Sequence, residues 1–133
     1  MLTTEQIERC NALWRQLYER GDVRWMMGMI TRCGAVVVGA NPLRVHSSVG
    51  SVRVSPADVL PNFNHPAVTG CLLAMAREAT GDATLTHALV PGVLMEGEDV
   101  WCCIVTNVKG LPAQADNEPE ALLLAIDEVS RAR

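Results

Sequence analysis

A chain of 133 residues, 49% apolar and 20% charged, is long enough for one domain with a real core and too apolar to stay disordered. Its net charge of -4 argues against nonspecific binding to a phosphate backbone. No apolar run approaches the roughly 18 residues needed to cross a bilayer, and the opening MLTTEQIERC is polar and acidic, unlike a targeting segment.

Taken in chain order, the first element is a helix. Thr3 followed by Gln6 is a capping-box pattern, and Ile7, Cys10, Trp14 and Leu17 recur at helical spacing, which predicts a helix over 4–20 with Gly21 as its stop. Arg9, Arg15, Arg20 and Arg24 lie on or just beyond this helix, which also carries Glu5, Glu8 and Glu19, the composition of a mixed-charge solvated face. The signal then changes to strand. RWMMGMIT (24–31) and GAVVVG (34–39) are short apolar runs, and Asn41-Pro42 marks a turn. In LRVHS, Leu43, Val45 and Ser47 share one face, opposite Arg44 and His46; in SVRVS, Val52 and Val54 lie opposite Arg53. The break at Ser48-Val49-Gly50 predicts a hairpin between them.

Residues 56–64 hold two prolines and two asparagines and read as a loop. HPAVTGCLLAMAREATGD (65–82) then reads as a helix capped by Asn64, with Pro66 in its first turn and Gly81 as terminator. Val68, Cys71 with Leu72, Met75 and Ala79 form its apolar stripe. Gly70 inside it predicts close approach by another backbone. TLTHALV (84–90) and VWCCIVT (100–106) are strands, separated by a Pro91-Gly92 turn and a tight acidic turn over 96–99. A polar loop follows over 107–117. Asn117-Glu118-Pro119-Glu120 opens a last helix, striped by Leu122, Ile126 and Val129, to about 131. The whole reads as a single α+β domain over 1–133. It holds an antiparallel sheet of about five to six strands, with three helices packed mainly on one face.

The chemistry-bearing residues form no motif. His46, His65 and His87 stand about twenty residues apart, and no Cys-x-x-Cys or His-x-x-x-His spacing occurs. Cys102 and Cys103 are adjacent on a strand and point to opposite faces. The five cysteines, odd in number, mostly sit in apolar runs and read as reduced, buried thiols of a cytoplasmic protein rather than a disulfide framework. No phosphate-binding loop and no nucleophile elbow are present. Glu96, Glu98 and Asp99 read as a solvated turn, and Lys109, the one lysine, lies beyond the next strand.

His65-Pro66, Gly70-Cys71-Leu72-Leu73, Arg77-Glu78-Ala79 and Gly81-Asp82, followed by Glu120-Ala121-Leu122, carry a resemblance. Over about residues 60–130 the chain is similar to uncharacterised small proteins of tailed bacteriophages and prophages, in which such a helix precedes a short hairpin and a closing helix. The resemblance implies a gene of phage or mobile-element origin working in a bacterial cytoplasm. It implies no activity.

The expectation is therefore a non-enzymatic protein-binding module, homodimeric or engaging a host protein, with no cofactor, no metal, no nucleic acid and no membrane. Trp25 and Trp101, on strands apolar on both faces, are its expected interface residues. One alternative is an enzyme or small-molecule binder with a pocket lined by His65, Cys71 and His87 between the 65–80 helix and the sheet. Another is a virion assembly component.

Overall fold

A computed structural model describes residues 1–91, 100–106 and 113–132, apart from the side chains at 89–91, 100–103 and 105. The turn expected over 96–99 and most of the loop expected over 107–117, Lys109 included, lie outside the described residues.

Helix α1 spans Thr4–Glu19 and starts where its capping box does. The Gln6 amide donates to Thr3 Oγ1 at 3.2 Å, and the Thr3 amide donates to Gln6 Oε1 at 2.8 Å. The helix ends on Gly21, whose φ of 78° lets the Gly21 amide reach the Tyr18 carbonyl and the Asp22 amide reach that of Leu17. Its buried face carries Cys10, Asn11, Trp14 and Leu17.

The expected strand over 24–31 does not form. The Gly28 amide donates to the Val37 carbonyl and the Met29 carbonyl accepts from the Val37 amide, but the Met29 amide turns back to the Met26 carbonyl, and only isolated bridges, Ile30 to Val36 and Thr31 to Pro61, follow. The segment is buried by its large side chains instead, with Trp25 4% exposed and Met29 fully enclosed. Its apolar run reflects core occupancy, a demand that an irregular segment meets as well as a strand does.

Strands β1 (Val36–Ala40), β2 (Leu43–Ser47) and β3 (Gly50–Arg53) follow as an antiparallel meander in that order. The Ser47↔Gly50 pair closes the β2–β3 hairpin over two residues, Ser48 and Val49. After a short 3-10 turn at Pro56–Asp58, helix α2 (Pro66–Thr80) begins. His65, not Asn64, is its N-cap: His65 Nδ1 accepts from the Ala67 amide at 3.1 Å. Asn64 Oδ1 instead accepts from the Leu2 amide at 2.7 Å and ties down the N-terminus. The close approach expected at Gly70 is absent: apart from its chain neighbours and the local helix backbone, no described atom lies within 4 Å of a Cβ placed there.

The second half contributes β4 (Thr86–Pro91), β5 (Val100–Val105), β6 (Gln114–Ala115) and helix α3 (Glu118–Arg131). β5 pairs antiparallel with both β4 and β6. The two residues of β6 fall inside the expected 107–117 loop, where a strand this short leaves no periodicity. The six strands thus pair as two three-stranded antiparallel sheets, and one sheet of five to six strands is not what the described residues form. The fold is α+β, with α3 packed against α1, α2 and the second sheet. Val37, Leu43 and Val45 of the first sheet share one core with Trp14, Leu72, Leu122 and Ile126 of the helices. Among the described residues, no helix is long and apolar enough to cross a membrane.

Candidate functional site

The residues expected to line a pocket are engaged separately. His65 serves as a helix cap at the surface. Cys71 is half-buried on α2, and burial pushes its thiol up. His87 on β4 pairs through Nε2 with Glu118 Oε2 at 3.2 Å, and its buried Nδ1 meets no partner among the described residues. Two open clefts, of about 650 and 460 Å³, lie elsewhere. Neither has His65, Cys71 or His87 in its lining. Among the described residues no three His, Cys, Asp or Glu side chains converge on a point where a metal would sit.

Trp25, expected at an interface, lies in the core of the chain, 4% exposed. Its ring meets that of Trp14 edge-on at 5.3 Å, and Phe63 meets Trp14 similarly at 6.5 Å. Burial of the aromatic cluster at the end of α1 outweighs display of the indole. Trp101 pairs with Val90 in the β4–β5 ladder, but its side chain lies outside the described residues.

The cations of α1 meet carboxylates where helices cross. Arg9 reaches Glu120 through Nε at 2.9 Å and Asp116 through Nη2 at 2.9 Å. Asn117 Nδ2 bridges both acids while its Oδ1 caps α3. Partial burial pushes the Asp116 carboxyl up, but hydrogen bonds from Asn117 and Gln6 and the Arg9 charge outweigh it and hold it below its ordinary value. Beside this cluster the Cys10 thiol is pushed up to about 12, by burial first and by the Glu120 charge second. Farther along, Arg20 pairs with Asp127 and Asp22, Arg131 pairs with Asp127, and Arg24 pairs with Glu78. Three of the four arginines expected on a mixed-charge solvated face therefore tie α1 and its exit to the other helices.

The first sheet differs. Its inner face carries Val37, Leu43 and Val45, all buried. On its outer face, Arg44 stands directly opposite Arg53, and in the next row Val36, His46 and Ser51 stand side by side. His46 Nδ1 and Ser51 Oγ share a hydrogen bond at 3.1 Å. Val54 N donates to Leu43 O, so Leu43–Val54 and Val45–Val52 are the hydrogen-bonded rows, and Arg44–Arg53 falls in the row between, where side chains are closest. Two like charges there repel. No carboxylate pairs with either among the described residues. The remaining neighbour of Arg44 is Gly39, which adds no side chain to the face. Val36 is 37% exposed, and Val38, left over at a bulge in β1, is 41% exposed. At the Arg53 end the face runs into the 650 Å³ cleft, lined by Tyr18, Asn41, Arg53, Ser55 and Pro56 among others.

This face was within reach of sequence reasoning. LRVHS and SVRVS place Arg44, His46 and Arg53 opposite the core residues, and a two-residue turn at Ser48-Val49 sets the register that joins the two arginines. Comparison with protein-family models, with curated proteins and with solved structures finds no match to this chain.

Proposed function

We propose that this chain is a non-enzymatic docking module, of phage or mobile-element origin, that binds a carboxylate-bearing segment of another protein on the outer face of its first sheet. One observation carries the reading: Arg44 and Arg53, cross-strand neighbours with no carboxylate partner among the described residues, are bordered by exposed Val36 and Val38. An acidic segment would neutralise the repulsion within the pair and cover the valines. The rest of the chain is acidic overall, so the cationic face stands out against its own background.

A closed homodimer through this face is disfavoured by symmetry. A two-fold contact sets each patch against its own copy, which would double the number of facing arginines. A protein other than a second copy of this chain, such as a host protein, is therefore the proposed partner; the resemblance of residues 60–130 does not reach this face.

The test is binding of a fluorescein-labelled peptide, Glu-Val-Glu-Val-Glu, followed by anisotropy at low and high salt. The parent binds it, and the double variant Arg44→Glu/Arg53→Glu binds at least about tenfold more weakly, a difference of roughly 1.4 kcal/mol. Equal binding by parent and variant overturns the proposal.

A further inference from the structure

We infer that the bound segment enters as an added β-strand along the free edge of β3, alternating acidic and apolar side chains. The inference rests on the docking reading and specifies how that surface is used. The two edges of the first sheet are unlike. The edge of β1 is already occupied: the Gly28 amide donates to the Val37 carbonyl, and the Val37 amide to that of Met29. β3 ends the strand order, and no described strand pairs with its far side.

The hydrogen-bond phase then says which groups are offered. Because Val52 and Val54 bond back to β2, the backbone N–H and C=O of Ser51 and Arg53 point away from it. All three residues Ser51, Val52 and Arg53 are exposed. A strand laid here places side chains opposite Ser51 and Arg53 on the outer face, and the side chain between them beside Val52 on the inner face. Val52 is 45% exposed although its neighbour Val45 is buried. The chemistry recognised is therefore a carboxylate across from Arg53 and an apolar group across from Val52. A segment running on past Arg53 meets the cleft formed by Tyr18, Val54, Ser55 and Pro56.

An exposed edge strand also calls for charge simply to resist pairing with other chains, and Arg53 serves that end if nothing binds. The experiment separates the two roles. ¹⁵N-labelled full-length protein is titrated with Glu-Val-Glu-Val-Glu and with two analogues of it, N-methylated at the Glu or at the Val nitrogens. Strand addition predicts that one methylation phase weakens binding at least tenfold while the other leaves it unchanged. The amides of Ser51 and Arg53 should shift and gain protection from exchange with solvent. If both analogues bind like the parent peptide and Arg44→Glu/Arg53→Glu still abolishes binding, edge pairing is overturned and the docking face stands. If that double variant binds all three peptides as well as the parent does, both readings fall. Tighter binding of a single-stranded DNA oligonucleotide than of the peptide overturns the assignment to a protein segment.

Discussion

Arg9 and Arg44 carry the same side chain into opposite surroundings. Arg9 lies where α1 crosses the start of α3 and meets two carboxylates, one of them largely buried. Arg44 lies on an open sheet and meets another arginine. The difference shows where the chain's acids are placed. Asp116, Glu120, Asp127 and Glu78 all sit on or beside α2 and α3 and bind cations from α1 or from the segment that leaves it. The described residues supply none to the outer face of the first sheet. Charge at the helix crossings is internally matched and serves architecture, whereas charge on the sheet has no match among the described residues.

The comparison breaks most visibly in the shared core. Trp14 touches Tyr18, Trp25 and Phe63 and is almost wholly buried. Trp14→Ala should cost about 3–5 kcal/mol, the usual range for emptying an aromatic site in a core. Denaturant unfolding followed by far-UV circular dichroism reads this directly. A loss under about 1 kcal/mol would mean that the aromatic cluster does not anchor α1.

Acid should separate the two regions next. Asp116 and Asp127 are both held below their ordinary values. For Asp127, partial burial raises the carboxyl, and the hydrogen bonds from Arg20 and Arg131 more than offset it. A carboxyl that titrates lower when folded contributes fully above the unfolded value, near pH 4, and loses that contribution as pH falls through the folded value. Stability should therefore be flat from about pH 7 to 5 and decline below about 4. Asp127→Asn should be less stable than the parent at pH 7 and should decline less on acidification. Parallel curves for the two proteins would remove Asp127 from the account.

Much of this division was legible in the sequence. Thr3, Gln6 and Gly21 bound α1, while Pro66 and Gly81 bound α2, because caps are local chemistry. The hairpin at Ser48-Val49 followed from strict alternation on both sides. Residues 24–31 misled because burial alone makes a run apolar, and nothing local distinguishes a core-filling irregular segment from a strand. The split into two sheets was not legible either, since which strands pair is a long-range choice. Asn64 looked like the better cap, yet its side chain was claimed by Leu2, sixty-two positions earlier. Burial of Trp25 was hidden for the same reason: its neighbour Trp14 stands eleven residues away on another element. Pairing of Arg9 with Glu120 across 111 positions carries no local signature.

The sharpest form of the comparison applies one substitution to both regions. Arg9→Glu places a third carboxylate against Asp116 and Glu120, so it should destabilise the fold and loosen the α1–α3 crossing. Arg53→Glu turns a repelling cross-strand pair into an attracting one. It should raise stability by a few tenths of a kcal/mol to about 1, the range of opposite-charge pairs on a sheet face. Because both arginines are exposed, most of that gain should vanish in 1 M salt, where charges are screened beyond about 3 Å. The measurement is the urea midpoint of each variant at low and at high salt. The same Arg53→Glu protein should lose affinity for acidic peptides as it gains stability. If Arg53→Glu instead destabilised the chain, Arg53 would have a carboxylate partner within the molecule, and the sheet would be as internally matched as the helices.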